Sequence, residues 1–269
     1  MTGLLVGLAA GAAAVLVMVV AAVAVMGWQM IVINKVIPVA EAPPPRSGGL
    51  YGRKLPGPAL TMVMIGDSFA AGYGTRRARE TPGALLSVAV SRRLGRPVEL
   101  HSVAIVGAMS ADLRHQVDAA LRTGPDVAVI YIGGNDVTQL SGPGKAVRHL
   151  DDAVKRLREV GCEVIVGTCP DLRAVPPLKP PLRWLAHKWS RRLAAGQAIV
   201  VERAGGVTVS LADLINPAFE ADAERMFSAD RFHPSADGYA LTAAVTLPKL
   251  LATLSAQSSR VIQGAAAPG

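Results

Sequence analysis

Aromatic side chains are scarce in this chain: 4% of 269 residues, against 51% hydrophobic residues in all. Its core must therefore be aliphatic, built from Ala, Val and Leu. Cysteine occurs only twice. No Walker sequence is present, and no GxGxxG follows an apolar run, so nothing implies a nucleotide. No cluster of His, Cys and carboxylates has metal-ligand spacing, and neither a metal nor another cofactor is expected. The net charge is +8, with a pI near 9.9. Without an aromatic-plus-basic module that charge does not indicate nucleic acid; it favours anionic lipid or acidic polymers.

Charge is absent altogether from Thr2 to Asn34, and Gly3 to Ile33 is almost wholly apolar. About 20 residues of helix cross a hydrocarbon layer, so this segment can span with residues to spare. Trp28 and Gln29 fall where an interfacial belt is expected, and Lys35 follows. Residues 1–34 are read as a single transmembrane anchor. A cleaved signal peptide would carry a basic n-region and a shorter apolar core, and this N-terminus has no Lys or Arg. Lys35, Arg46, Arg53 and Lys54 lie beyond the span, which by the positive-inside rule places the remainder in the cytoplasm; the rule is statistical, and both sides stay open at this point. Gly3, Gly7 and Gly11 form overlapping GxxxG patterns through which two anchors would associate weakly.

Cys162 and Cys169 flank EVIVGT, which reads as a buried strand. Seven residues at about 3.3 Å each separate the thiols by about 23 Å. A disulfide needs Cα atoms within about 7 Å, so the two cannot pair along one strand, and they give no sign of an oxidising compartment.

Residues 35–58 include EAPPPRSGGLYGRKLPGP and read as a Pro/Gly-rich linker. Short β-branched runs then recur: TMVMIG (61–66), PVELHSV (97–103), DVAVIYIG (126–133), EVIVGT (163–168) and GVTVSL (206–211). Helical patterns lie between them at 81–95, 110–124 and 144–161, with two more at 183–203 and 235–254. The alternation predicts a single α/β domain over 59–254 with a parallel sheet covered on both faces. The tail, 255–269, reads as disordered.

In an open sheet of this kind, ligands sit at the carboxyl ends of the strands. Gly66-Asp67-Ser68 ends the first run, Gly107 follows the second, and Gly133-Gly134-Asn135-Asp136 closes the third. A serine hydroxyl becomes a nucleophile only when a base takes its proton and a third group orients the base. His101 ends a strand, and His115, His149 and His187 lie in charged helical patterns, where structural or solvated roles suffice. His233 differs: it sits in the loop SADRFHPSADGY (228–239), three residues after Asp230, with Ser235 a plausible N-cap of the last helix. Backbone N–H groups at Ser68 and Gly107 and the Asn135 amide are of the kind that can hold an oxyanion. Taken singly, each of these motifs also reads as an ordinary turn.

Together and in this order, GDS (66–68), Gly107, GGND (133–136) and DRFH (230–233) resemble the SGNH hydrolases, the GDSL-type esterases and lipases, over about residues 60–250. The resemblance implies a flavodoxin-like three-layer α/β/α fold. It implies Ser68 as nucleophile, His233 as general base and Asp230 as its orienting carboxylate, with an oxyanion hole from Ser68, Gly107 and Asn135. Around Gly107 the sequence VAIVGAMS lacks the polar residue that often precedes this glycine in the family. Asp67 suits a turn or cap. The implied activity is hydrolysis of a small-molecule or lipid carboxylic ester by a membrane-held serine esterase or lipase. An acyltransferase on the same machinery and a non-catalytic binding module are the alternatives.

Residues 173–192 hold six Lys/Arg, two Trp and no acid. They read either as an element facing a membrane or as a helix whose Leu182, Leu185 and Trp189 pack on the sheet while the charges are solvated.

Overall fold

The structure is a computed structural model that describes residues 2–36 and 43–266. The uncharged N-terminal segment forms one helix, α1 (Thr2–Val36). Beyond it, a six-stranded sheet is built from β1 (Gly49–Tyr51), β2 (Leu60–Gly66), β3 (Val98–Ser102), β4 (Val127–Tyr131), β5 (Glu163–Gly167) and β6 (Val207–Val209). Its order is β1-β3-β2-β4-β5-β6, parallel except for β1, which runs antiparallel to β3.

Because side chains alternate across a strand, each central strand feeds two cores. Met62, Met64, Val127, Val129, Tyr131 and Ile165 face one side, where α3 (Pro82–Leu94) and α11 (Ala236–Ala266) supply Leu86, Val90 and Leu250. Val63, Ile65, Ala128, Ile130, Val164 and Val166 face the other, covered by α4 (Leu113–Leu121) and α6 (Pro143–Glu159) through Leu113, Val117, Leu150 and Leu157. The result is the expected three-layer α/β/α arrangement, with both faces of the parallel sheet buried. The helix α7 (Leu182–Arg203) packs beside α6.

Two sequence readings need revision. Gly49–Tyr51, inside the stretch taken as linker, forms the edge strand β1 against Val98–Leu100. A three-residue strand whose partner lies far along the chain leaves no periodic signal of its own. The tail taken as disordered from residue 255 continues α11 as far as Ala266. Its Ala, Gln and Arg residues are good helix formers, and the first Gly of the tail comes only at 264. Residues 37–42 of the linker and 267–269 of the tail lie outside the described residues. Cys162 and Cys169 are both free and buried, and burial pushes both thiols up, Cys162 to about 12.

The strand order reverses at β2, whose neighbours are β3 on one side and β4 on the other. That is the position at which open α/β sheets leave a crevice. Gly66 ends β2 at φ 136°, and a Cβ there would lie 1.8 Å from the Tyr131 carbonyl oxygen. Only glycine permits so close a crossing of β2 and β4. Gln116, fully buried on α4, fixes the same peptide by accepting from Gly66 N at 2.7 Å and donating to Gly66 O at 2.9 Å. Gly66→Ala is expected to lower stability by about 3 kcal/mol or more, measured by urea unfolding, because backbone rather than a flexible side chain blocks the new methyl.

Candidate active site

Immediately after Gly66, Asp67 caps the short helix α2 (Ser68–Ala71): its Oδ1 accepts from Phe69 N at 2.9 Å. The cap, rather than any side-chain preference, turns the chain so that Ser68 begins the helix at the carboxyl edge of the sheet. Gly72 ends this turn of helix in the left-handed region, and the chain then passes Gly74. A Cβ on Gly74 would meet the Pro234 carbonyl at 2.8 Å and Ser228 at 2.9 Å, so this glycine admits the loop that carries His233.

That loop is organised around one carboxylate. Asp230 Oδ1 accepts from Ser228 Oγ at 2.7 Å, Phe232 N at 2.9 Å and His233 N at 2.9 Å. Its Oδ2 meets His233 Nδ1 at 2.6 Å, and His233 Nε2 lies 2.8 Å from Ser68 Oγ. Burial pushes the Asp230 carboxyl up, but the bonds from His233, Phe232 and Ser228 outweigh it and hold the group down at about 2. An ionised Asp230 can only accept, so Nδ1 carries the proton between them, and the tautomer with that proton alone leaves Nε2 to accept from Ser68. The ring is gripped by Tyr73 and Phe232, edge-on at 4.5 and 5.0 Å between centroids. Ser235 Oγ accepts from Gly238 N at 3.2 Å, capping α11 behind the loop.

Asn135 lies in the short helix α5 (Gly134–Thr138) and lines the cleft beside Ser68. Its Nδ2 donates to Ala108 O at 2.9 Å, one of the two hydrogens that the amide nitrogen carries. This bond and Ile105 N donating to Gly66 O at 3.0 Å tie down the turn that contains Gly107. Gly107 itself is exposed, with φ 83°, and is not one of the residues that line the cleft. Ser68, His233, Asp230 and Asn135 thus come together, with Gly107 one residue from the carbonyl that Asn135 holds.

The cleft encloses about 700 Å³ of empty space, its open mouth included. All four phenylalanines of the chain line it: Phe69, Phe219, Phe227 and Phe232. Leu172, Val175, Leu211 and Ile215 add aliphatic walls from the segment after β5 and from the helices α8 (Leu211–Leu214) and α9 (Asn216–Ala221). The chain is poor in Phe, and its Phe residues converge on one place, which their spacing along the sequence does not announce.

Two further features were not read from the sequence. Asp136 is buried and accepts from Ser110 N at 3.0 Å and Ser110 Oγ at 2.9 Å, holding the turn before α4 against α5; burial pushes its carboxyl up. His187, for which a structural or solvated role sufficed, places Nδ1 2.7 Å from Oδ2 of Asp171, a residue on the wall of the cleft. Asp171 is locked to Asn216 by two bonds, Asp171 N to Oδ1 and Nδ2 to Asp171 O. This second His–Asp pair braces the segment after β5 and has no serine hydroxyl on the far nitrogen among the described residues. Those residues also hold no group of three or more His, Cys, Asp and Glu arranged for a metal ion.

Residues 64–241 match the GDSL-like lipase/acylhydrolase family. The chain belongs to it. It is 46% identical over 220 residues, 77% of this chain and 70% of the relative, to the GDSL-like esterase Rv1075c of Mycobacterium tuberculosis. Among solved structures it resembles TesA, with TM-score 0.54 and 20% identity over 73% of this chain and 99% of that one. It also resembles LAE5, an alpha/beta hydrolase enzyme from the metagenome of Lake Arreo, Spain, with TM-score 0.56 and 21% identity over 71% of this chain and 95% of that one. At those identities the two structures speak for the fold. The family and the esterase relative make this chain a hydrolase that acts on esters.

Asp67, beneath the nucleophile, has a measurable electrostatic consequence. Burial pushes its carboxyl up to about 7. In the unfolded chain it would titrate near 3.9. The native state therefore binds the extra proton, and this group's contribution to stability is full below about pH 4 and is lost as pH rises to about 7. Asp67→Asn keeps an oxygen for Phe69 N and removes the titration. The difference in urea stability between the parent and Asp67→Asn is expected to move against the parent from pH 4 to 7 and to level off above; a difference independent of pH would show that Asp67 is ionised throughout.

Proposed function

We propose that the chain hydrolyses carboxylic esters with an apolar acyl group through an acyl-enzyme on Ser68. The observation that carries this reading is the continuous line of hydrogen bonds from Asp230 through His233 to Ser68 Oγ, at 2.6 and 2.8 Å. The Ser68 Oγ–H proton passes to His233 Nε2 as Oγ attacks the ester carbonyl carbon. Asp230 stays ionised and stabilises the imidazolium that forms. The oxyanion is held by the Ser68 and Gly107 backbone N–H groups and by the free hydrogen of the Asn135 amide. Collapse of this intermediate breaks the ester C–O bond, and His233 gives its proton to the departing alkoxide. Water then attacks the acyl-enzyme, His233 taking its proton and returning it to Ser68 Oγ as the acid leaves.

The phenylalanine-lined cleft favours an aliphatic or aromatic acyl chain over a charged one, since a charge there would lose its hydration with no partner. We also read α1 as a membrane anchor. Ala10–Gln29, 20 residues of high mean hydropathy, forms one apolar stretch whose side chains are mostly exposed, with only Met26 and Gln29 at its end meeting the domain among the described residues. Self-association through Gly3, Gly7 and Gly11 belongs to the same reading; Gly11 has open space around its Cα.

A fluorophosphonate probe is expected to label the parent chain, and Ser68→Ala and His233→Ala to abolish labelling. Asn135→Ala is expected to lower kcat by about 100- to 1000-fold, the usual loss for one oxyanion donor. A folded parent that neither labels nor hydrolyses p-nitrophenyl esters would overturn the reading.

A further inference from the structure

The end of α1 is joined to the hydrolase domain. Gln29 Nε2 donates to Pro180 O at 2.8 Å, and Leu182 N donates to Gln29 Oε1 at 3.3 Å. Met26, one turn earlier, packs on the domain's core. Both ends of one amide side chain thus meet the backbone at the start of α7, and that backbone continues the segment after β5 that walls the cleft through Leu172, Ala174 and Val175.

The helix α1 is longer than a hydrocarbon layer needs, so its level is set by the residues that suit an interface. Trp28 and Gln29 close the stretch Ala10–Gln29, which rises about 30 Å at 1.5 Å per residue, the thickness of that layer. With that stretch in the layer, Gln29 lies where hydrocarbon meets headgroups, and Pro180 and Leu182, bonded to it, lie there too. The neighbouring surface has the composition of an interface. Trp28 and Trp184 are 64% and 65% exposed. Lys179 and Lys188 are exposed and make no ion pair with another described residue, whereas Arg173 and Arg191 are paired with Glu220 and Asp213. Indole rings and unpaired ammonium groups suit anionic headgroups. Ile105 and Val106, in the turn after β3 at the carboxyl edge of the sheet, are also exposed.

We infer that the carboxyl edge of the sheet, with the mouth of the cleft, rests on the surface of the bilayer that α1 crosses, clamped there by Gln29, so that Ser68 draws esters from the lipid leaflet. This rests on the anchor and esterase readings given above. The anchor then fixes the orientation of the cleft as well as its location, and the partner surface is anionic lipid.

The chain has three tryptophans, so the variant Trp28→Phe, Trp189→Phe leaves Trp184 as the single emitter. In the full chain in anionic vesicles, lipids brominated near the carbonyl end of the acyl chain are expected to quench about half of the Trp184 emission, as for a residue at the interface. Gln29→Ala is expected to reduce that quenching and to lower hydrolysis of a vesicle-resident ester several-fold, with turnover of a dissolved short-chain ester unchanged. Should the double variant fail to fold, the difference in quenching between the parent and Trp184→Phe gives the same information. Unquenched Trp184 in a chain that resists carbonate extraction overturns the inference and leaves the anchor standing. Release by carbonate overturns the inference and the anchor together. Fluorophosphonate labelling of Ser68, read in each case, reports separately on the esterase reading.

Discussion

The site depends on one crossing of two backbones. At the end of β2 the chain passes so close to the Tyr131 carbonyl that residue 66 can carry no side chain. Gln116 then occupies both hydrogen-bonding groups of that peptide. Because the exit from β2 is rigid, the Asp67 cap forms at a set position and Ser68 points to one place. Ile105 N bonds to the carbonyl of the same glycine, so the turn after β3 takes its position from it as well. Two loops of the carboxyl edge are therefore referred to a single residue that carries no side chain. Positioning of this kind keeps reacting groups within the narrow geometric range that catalysis demands.

The electrostatics divide in an orderly way between two neighbouring carboxyls. Asp230 is solvated by four protein hydrogen bonds and stays charged. Asp67, deeper and with fewer donors, is driven towards its neutral form by burial. Asp230 is thus held as a carboxylate beside His233 Nδ1, while Asp67 caps a helix with its negative charge disfavoured. The apolar lining of the cleft acts in the same direction, since it lowers the local dielectric and strengthens each fixed dipole.

Much of this was legible in the sequence, for physical reasons that differ from place to place. The alternation of β-branched runs with helical patterns located every strand of the parallel sheet, because a sheet buried on both faces admits few polar residues. Ser68, His233, Asp230 and Asn135 stood out because each follows a strand or precedes a helix, where side chains reach the carboxyl edge. The edge strand at Gly49–Tyr51 was hidden, since it is three residues long and pairs with residues 98–100, far along the chain. The helical tail was hidden because disorder and a polar helix have similar compositions. The bracing pair Asp171–His187 and the buried Asp136–Ser110 bond join residues 16 and 26 positions apart, and no local pattern encodes such contacts. The convergence of the four phenylalanines is likewise a property of three dimensions.

Asp230 and His233 lie three residues apart in one self-bonded loop, whereas His233 and Ser68 are separated by 165 positions. The two ends of the site meet through the His233–Ser68 bond, the Tyr73–His233 ring contact and the passage of Gly74 beside Pro234, and the loop that supplies Asp230 and His233 behaves as a cassette with its own internal geometry. The entropy of closing a long loop grows only with the logarithm of its length, about 0.6 kcal/mol for each doubling. Residues can consequently be added or removed in the surface segments between the two ends, the walls of the cleft among them, with little effect on whether the triad assembles. Substrate preference and catalytic competence are thereby under separate control: evolution can redraw the cavity from the segments after β5 and β6 while the cassette and the glycine crossing stay as they are.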